Sequence, residues 1–300
     1  METYIGVDLG GTNVRVSKVN EAGVILQTVK GPSYGSEGPA KVMPNIIKMI
    51  KEIDGYQECA GIGVGVPGPV DTARGIMCLS SNLPGFTGYP IANELYEEFH
   101  KPIYLDNDAN VAGLAEAMVG AGKGMNIVYY VTISTGIGGA LIANGRLVSG
   151  KNGYAGEIAN IVIDRQRKKV NHLNAGAIEC EASGTAIVRK AKELMPYAQI
   201  NHAGDVFALA ANRDVIAIKL VDEITTDLAY MFSIIAHVCD PFAFVIGGGV
   251  MKAKEHFLPQ VIEKYQALVH EGMRNTLFLE AQLEEPGVIG AAMLPLSMKG

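Results

Sequence analysis

The chain has 300 residues, 48% of them hydrophobic and 19% charged, and its 25 basic and 31 acidic residues leave a net charge of −6. This composition excludes a disordered chain, a collagen and a coiled coil, and the length is enough for two ordinary domains. The negative charge disfavours nucleic acid as a partner, so any phosphate site must be local and built largely from backbone groups.

The N-terminal part of the chain predicts alternating strands and helices. Residues 4–8, 14–19 and 24–26 have strand patterns separated by turn residues, which indicates an N-terminal β-meander. Apolar spacing then predicts helices at 40–53, 91–99 and 111–119 and strands at 61–66 and 102–105. The acidic cluster at 106–110 is therefore expected between a strand and a helix.

A glycine-rich segment at 121–124 predicts a boundary, after which the second half opens like the first. A strand pattern at 127–133 breaks into a glycine-rich turn, resumes at 140–142 and turns at Asn144-Gly145, a strong hairpin signal. We interpret the two openings as a diverged internal duplication, although two unrelated hairpins would give the same pattern. The pattern continues with helices at 214–238, 255–271 and 287–298 and a strand at 242–246.

The remaining features have structural interpretations. The basic stretch at 165–169 is typical of a solvated loop and is assigned no function. The scattered cysteines, Cys59, Cys78, Cys180 and Cys239, form no CxxC pair and are interpreted as reduced, buried side chains. The N-terminus has no signal-peptide pattern and no apolar run is long enough to span a bilayer, so we expect a cytoplasmic protein without a membrane partner.

Three glycine clusters each follow a predicted strand: Gly10-Gly11-Thr12, 136–139 and Gly247-Gly248-Gly249. Glycine lets the backbone turn tightly and bring N–H groups against phosphate oxygens. The chain has no Walker motif, and neither DLGGTN nor STGIGG has the dinucleotide-binding spacing. Together the clusters favour a nucleotide held without a P-loop, whereas each one alone could be an ordinary tight turn.

The order of these motifs is similar to that of the ROK family, which comprises repressors, open reading frames and sugar kinases. The matching segments span nearly the whole chain: Val7-Asp8-Leu9-Gly10-Gly11-Thr12-Asn13, Asn107-Asp108-Ala109-Asn110, 134–139, Gly156-Glu157-Ile158, Glu179 with Ser183-Gly184, and 246–250. The resemblance implies an actin-like ATPase (ribonuclease H-like) fold, in which two α/β domains flank a cleft for nucleotide and sugar. We place the N-terminal domain at 1–120, rejoined by 287–300, and the C-terminal domain at 121–286. The phosphate loop begins at Asp8 with no helix-turn-helix before it, so DNA binding is not expected.

The resemblance also implies roles for individual residues. Asp8 would hold Mg²⁺ through water, and Asp108 would be the catalytic base. ATP would be bound by three groups of residues: Gly10, Gly11, Thr12 and Asn13; Thr135, Gly136, Gly138 and Gly139; and Gly247, Gly248 and Gly249. Sugar hydroxyls would be bound by Asn82, Asn107, Glu157, Asn160 and Glu179.

The residue types suit this chemistry without the family. Phosphoryl transfer needs positioning, charge neutralisation and one carboxylate within reach of the attacking hydroxyl, and Asp108 could be that carboxylate or simply the N-cap of the following helix. An uncharged hexose must be recognised through its hydroxyls, which carboxylates and amides can bind. Each of the proposed sugar ligands could instead be an ordinary surface residue.

One segment departs from the family pattern. Most bacterial members bind a structural Zn²⁺ through a His and three Cys, and Asn160, Val170, His172 and Ala177 stand at those positions here. A single His without thiolates cannot form a closed tetrahedral site, so we predict no zinc. The missing His also contacts sugar in the members that have it, which leaves the identity of the sugar open.

The sequence therefore predicts an ATP-dependent, glucokinase-like sugar phosphotransferase that makes a hexose 6-phosphate, uses Mg²⁺ and, by resemblance, forms a homodimer. A kinase for N-acetylmannosamine, allose, fructose or a β-glucoside is the alternative within this class. From other classes, a catalytically silent sugar sensor or an ATPase that needs no sugar would also fit the motifs.

Overall fold

The structure, a computed structural model, describes residues 1–80 and 82–299. Its contacts divide the chain into two compact units. The first unit contains Met1–Tyr130, Ala140–Gly156 and the chain from Ala281 onward, and the second contains Val131–Gly139 and Glu157–Glu280. The predicted domain boundary at residue 120 stays a prediction.

The described residues form both strands and helices. The strands are β1 (Thr3–Leu9), β2 (Asn13–Asn20), β3 (Ile25–Pro32), β4 (Ile62–Val66), β5 (Val70–Asp71), β6 (Ile76–Met77), β7 (Ile103–Asn107), β8 (Ile127–Ile133), β9 (Ile137–Ala143), β10 (Arg146–Leu147), β11 (Ala243–Gly247) and β12 (Leu277–Glu280). The α-helices are α1 (Pro39–Lys51), α2 (Ile91–Phe99), α3 (Asp108–Val119), α4 (Ile178–Ala182), α5 (Gly184–Leu194), α6 (Ala203–Ala211), α7 (Val215–Cys239), α8 (Leu258–Leu268) and α9 (Pro286–Ser297). Short 3₁₀ turns lie at Gly35–Glu37, Tyr56–Glu58, Gly249–His256 and Glu271–Asn275.

Two five-stranded sheets have the same internal order. The first is β3-β2-β1-β4-β7 and the second is β10-β9-β8-β11-β12. In the first sheet, β2 pairs antiparallel with β1 and β3, whereas β4 is parallel to β1 and β7. In the second, β10 is antiparallel to β9, and β12 is parallel to β11. The shared order agrees with the predicted internal duplication.

Helix α9 brings the C-terminal part of the chain onto the first sheet. It packs against β1, β4 and α3. A side chain at Gly63 on β4 would clash with the Ala291 carbonyl of α9, so glycine allows the helix backbone to lie directly on the strand. Helix α9 therefore packs on the sheet whose strand β1 carries Asp8, and on helix α3, which begins at Asp108.

Most predicted elements agree with the structure within a few residues. The β-meander, α1, α2, β4, β7, β8, α7, β11 and α9 all lie where the patterns predict them. The predicted helix at 255–271 is interrupted, because its region contains a 3₁₀ turn before Leu258 and another after Leu268. Helices α4, α5 and α6 and strand β12 were not predicted, and of these α4 and β12, with five and four residues, are too short to give a periodic signal.

Within the described residues, no helix is both long enough and apolar enough to cross a bilayer. The cysteines are free thiols. Cys59 and Cys180 are buried, as interpreted from the sequence, whereas Cys78 and Cys239 are only half-buried.

Candidate active site

The first glycine turn follows β1 in the first unit. The Gly10 N–H donates to the Asn13 carbonyl at 2.9 Å, which closes a tight turn and leaves Thr12 exposed. Asn82 lies against this turn, because a Cβ on Gly11 would lie 3.4 Å from the Asn82 carbonyl oxygen. The structure therefore brings the predicted sugar ligand Asn82 to the predicted phosphate turn.

Asp8, near the end of β1, is balanced by one arginine. The Arg15 Nη1 donates to Asp8 Oδ2 at 3.3 Å, and Arg15 Nε lies 3.3 Å from Glu285, which also pairs with Lys30 at 2.6 Å. Burial raises the pKa of Asp8, the charge of Arg15 lowers it, and Glu285 raises it again. Sequence analysis missed Arg15, although the β1–β2 hairpin pairs it directly with Asp8.

Asp108 is the first residue of α3, and the residue before it caps the helix. The Asn107 side chain accepts hydrogen bonds from the backbone N–H groups of Ala109 at 2.8 Å and Asn110 at 3.4 Å. The alternative interpretation of Asp108 as the N-cap is therefore wrong, because Asn107 has that position. Asp108 Oδ1 accepts a hydrogen bond from the Ala109 N–H at 2.8 Å.

The Asp108 carboxylate is open to solvent on one side and crowded by protein on the other. Burial raises its pKa, the Ala109 N–H opposes that shift, and the negative charge of Asp8 raises the pKa further. The structure thus brings Asp8 and Asp108 close enough to interact electrostatically. Two like charges in one place favour binding of a cation or a proton.

Hydrogen bonds hold the end of β7 in place. The Asn107 amide donates to the Gly68 carbonyl at 3.0 Å, which leaves one of its hydrogens for a ligand. Asp106 is buried and accepts from the Asn107 N–H at 2.8 Å and the Asn110 amide at 2.6 Å. Sequence analysis assigned no role to Asp106, and its contacts make it a support for Asn107 and Asp108.

Three backbone segments of the second unit meet around Ser134. Its N–H donates to the Gly136 carbonyl and its carbonyl accepts from the Gly184 N–H, both at 2.8 Å. Gly184 is the first residue of α5, whose N-terminal N–H groups favour anions. Gly248 packs so closely on the Ile133 carbonyl that a side chain there would clash. The predicted second phosphate loop and the 247–249 loop are therefore neighbours.

Glu179 lies against the second phosphate loop. Its Oε2 accepts the Ile137 N–H at 2.9 Å, and a side chain on Gly136 would clash with the same oxygen. The Glu179 N–H donates to the Ala159 carbonyl at 3.1 Å, which links it to the segment containing Glu157 and Asn160. Both of those side chains are exposed, and Asn160 Oδ1 accepts the Asn174 N–H at 2.8 Å.

The basic stretch at 165–169 differs from its predicted form at one residue. Arg165, Lys168 and Lys169 are exposed, as expected of a solvated loop, but Arg167 is half-buried. Its guanidinium pairs with Asp227 at 2.6 Å and Glu181 at 2.7 Å. Periodicity gave no signal for this arrangement, since the partners lie on other elements, Glu181 on α4 and Asp227 on the distant helix α7.

The predicted site residues thus divide between the units. The first unit holds Asp8, Gly10, Gly11, Thr12, Asn13, Asn82, Asn107 and Asp108. The second holds Thr135, Gly136, Gly138, Gly139, Glu157, Asn160, Glu179, Gly247, Gly248 and Gly249.

Comparisons with known proteins match almost the whole chain. The model of the ROK family matches residues 4–297. A glucokinase of Halalkalibacterium halodurans is 34% identical over 282 residues, which cover 88% of this chain and 85% of that protein. The crystal structure of a ROK hexokinase from Thermus thermophilus has a TM-score of 0.87 at 29% identity and covers 97% of both chains. A ROK family glucokinase from Streptomyces griseus, in complex with glucose and AMPPNP, has a TM-score of 0.76 at 27% identity and covers 99% of this chain and 100% of that one.

Proposed function

Because the chain belongs to the ROK family, we propose that it transfers the γ-phosphoryl group of ATP to a hydroxyl of a hexose. The predicted family and the actin-like α/β fold are confirmed. The relatives named glucokinase and hexokinase match this chain over nearly their full length. This similarity agrees with the prediction of an ATP-dependent sugar phosphotransferase. The sugar, the residue roles and the metal are proposals that rest on the geometry of each unit.

The observation that carries the proposal is the pair of carboxylates beside the first glycine turn. Asp108 has a solvent-open face and a raised pKa, so it can accept the proton of a sugar hydroxyl. As that hydroxyl oxygen bonds to the γ-phosphorus, the bond to the bridging oxygen of ADP breaks and Asp108 takes the proton. The protein contributes mainly position and electrostatics, because the transition state is loose.

Sugar recognition is assigned to the amide and carboxylate groups predicted from the sequence. Asn107 has one amide hydrogen left after its backbone contacts, and Asn82 is exposed beside the first turn. Glu179 uses Oε2 for Ile137, and its Oε1 can accept a sugar hydroxyl. We place Glu157 and Asn160 at the same site because their segment is hydrogen-bonded to Glu179.

Nucleotide binding is assigned to main-chain groups. The turn at 10–13 would bind the terminal phosphates in the first unit, and the turn at 135–139 would do so in the second. The loop at 247–249 would face the adenosine, and the N-terminus of α5 adds a positive dipole beside Ser134. This assignment explains how a chain of net charge −6 can bind a triphosphate.

The residues around Asp8 fit a magnesium ion. Carboxylate oxygens and water are the ligands that Mg²⁺ prefers, and Asp8 is half-buried and shares its cationic partner Arg15 with Glu285. We propose that Asp8 holds Mg²⁺ through its bound water. The ion, when bound, neutralises charge on the nucleotide phosphates.

The remaining proposals concern the sugar, zinc and assembly. We propose glucose as the first substrate and the 6-phosphate as product, with N-acetylmannosamine, allose, fructose and a β-glucoside as the alternatives. Because Asn160 is engaged with the Asn174 N–H, we propose that the 160–177 segment needs no zinc. We also propose a cytoplasmic homodimer that binds neither nucleic acid nor membrane, and the net charge of −6 supports the lack of a nucleic acid partner.

A coupled ADP-release assay across a panel of hexoses and amino sugars tests the proposal, with the phosphate position of the product read by NMR. The kinase requires both a sugar and Mg²⁺, whereas an ATPase would release ADP without sugar and a silent sensor would release none. Stoichiometric zinc that survives chelation would contradict the zinc proposal, and sedimentation analysis measures the assembly.

A further inference from the structure

A compact group of charged side chains in the second unit has no place in the mechanism above. It consists of Arg167, Lys190 and the carboxylates Asp164, Glu181, Glu223 and Asp227. The Glu181 and Asp227 side chains are each only 4% exposed, and those of Lys190 and Arg167 are 11% and 23% exposed. The group is therefore an internal network with Glu223 and Asp164, each 45% exposed, at its solvent edge.

The cations occupy the space between the carboxylates. Arg167 binds Asp227 through both terminal nitrogens, at 2.6 and 2.8 Å, and its Nη1 also donates to Glu181 at 2.7 Å. Lys190 lies 2.6 Å from Glu181 and 2.8 Å from Glu223. Carboxyl oxygens of Glu181, Glu223 and Asp227 lie within 4.8 Å of one another, a spacing that could suit a metal. Arg167 and Lys190 between them contact all three of these carboxylates, so basic side chains already occupy the space among the oxygens.

The network joins four segments, the loop with Arg167 and helices α4, α5 and α7, of which α7 is distant in sequence from the others. Arg167 belongs to the loop before α4, Glu181 lies on α4, and Asp227 lies near the middle of the long helix α7. Helix α4 has only five residues, too few to be stable alone, so its position depends on contacts outside it. Because a guanidinium is planar, one that binds two carboxylates fixes both the distance and the relative orientation of the helices that carry them.

Glu179 is on the same short helix as Glu181. From the other side, the Glu179 N–H is bound to the Ala159 carbonyl, and Glu179 Oε2 reaches the Ile137 N–H of the phosphate loop. A shift of α4 by less than an ångström would lengthen that 2.9 Å bond. Because Glu179 and Glu181 lie on the same turn of α4, a displacement of the charged network would also displace Glu179.

We propose that Arg167 is a positioning residue for the sugar site, which holds α4 against α7 so that Glu179 meets both Ile137 and the sugar. This inference rests on the proposed function. It assigns a role to a loop that the proposed function leaves without one, and it places part of the sugar affinity in an ion-pair network.

The experiment compares three variants with the wild-type protein. Arg167→Ala would leave two buried carboxylates without their shared partner and is expected to unfold, so milder changes are used. Arg167→Lys keeps the charge but loses the fork, and Arg167→Gln keeps hydrogen bonding but loses the charge. Lys168→Ala removes an exposed cation from the same loop and is the matched control.

Two readouts are measured on each folded variant: the sugar Kd without nucleotide by calorimetry, and amide exchange of the peptide containing Ile137 by mass spectrometry. We expect the Kd to rise about fivefold in Arg167→Lys and about twentyfold in Arg167→Gln, with faster exchange at Ile137 in the same order. Lys168→Ala should change neither. Exchange in the core strand β11 should stay at its wild-type rate.

Other outcomes overturn the inference or separate it from the proposed function. Faster exchange throughout the unit, including β11, with an unchanged sugar Kd would show a purely structural role for Arg167. Unchanged Kd and exchange in both Arg167 variants would also reject positioning. If the wild-type protein binds no sugar of the panel, the proposed function fails, while selective loss of protection at Ile137 still shows that Arg167 positions Glu179.

Discussion

Two groups of carboxylates in this chain differ in how they are paired with cations. In the first unit Asp8 and Asp108 interact with each other, and the cation bound to Asp8 is Arg15, at 3.3 Å. In the second unit the buried Glu181 and Asp227 share Arg167, and Lys190 adds a second cation. A buried carboxylate beside a second carboxylate costs folding free energy but can take up a cation or a proton. A buried carboxylate that a cation already binds can hold neighbouring groups in position but is not available to a ligand.

The largest expected effect is a loss of turnover from a substitution at Asp108, which belongs to the pair in the first unit. Asp108→Asn removes the proposed base but can keep the hydrogen bond from Ala109, so we expect kcat to fall at least about a hundredfold, roughly 2.7 kcal/mol, with sugar Kd nearly unchanged. Steady-state kinetics and calorimetry measure the two quantities. Asp54→Asn, on an exposed residue, is the control. Near-normal turnover in Asp108→Asn would show that Asp108 is not the catalytic base.

A buried carboxylate of the first unit that is bound by backbone N–H groups is expected to affect stability rather than turnover. Glu116 is fully buried and accepts backbone N–H groups from Ala121, Gln282 and Leu283 at 2.8–2.9 Å. Glu116→Gln places an amide group among these donors, so we expect the free energy of unfolding to fall by about 2 kcal/mol, without a comparable loss of kcat. Chemical denaturation tests this, with the exposed Glu97→Gln as control.

Glu179 combines a structural and a binding role, since its Oε2 is bound to the Ile137 N–H and its Oε1 is assigned to the sugar. Gly136→Ala places a methyl group against its bound oxygen, so we expect a roughly tenfold rise in the sugar KM as the carboxylate is displaced. Gly272→Ala adds the same atom in open space and should have no effect. Equal KM values for both variants would mean that Glu179 does not contact the sugar.

The smallest effect is a pH dependence of stability in the ligand-free protein. Because the folded-state pKa of Asp108 is raised, its contribution to stability is present at acidic pH and is lost as the pH rises through that pKa. We therefore expect Asp108→Asn to raise Tm by roughly 2 °C at neutral pH, a difference that disappears in acid. A Tm below wild type at neutral pH would contradict a raised pKa.

Much of the fold could be predicted because its signals are local. Apolar spacing located α1, α2 and α7, and glycine clusters located the turns after β1, β8 and β11. Helix α4 could not be predicted, because its five residues give no periodic signal and its position depends on tertiary packing. For the candidate site, the motifs identified Asp8 and Asp108, whereas Arg15 and Glu116 have roles that depend on strand register and on distant backbone donors.

The sequence alone determined the family, the two glycine-rich openings and the acidic strand-to-helix junction, because those features depend on residues a few positions apart. Tertiary structure decided which residue caps α3, which cation meets Asp8, and that Arg167 of a basic loop belongs to an internal network. The physical reason is that ion pairs and caps depend on distances between atoms from separate elements. Those distances exist only after the sheets and helices have packed.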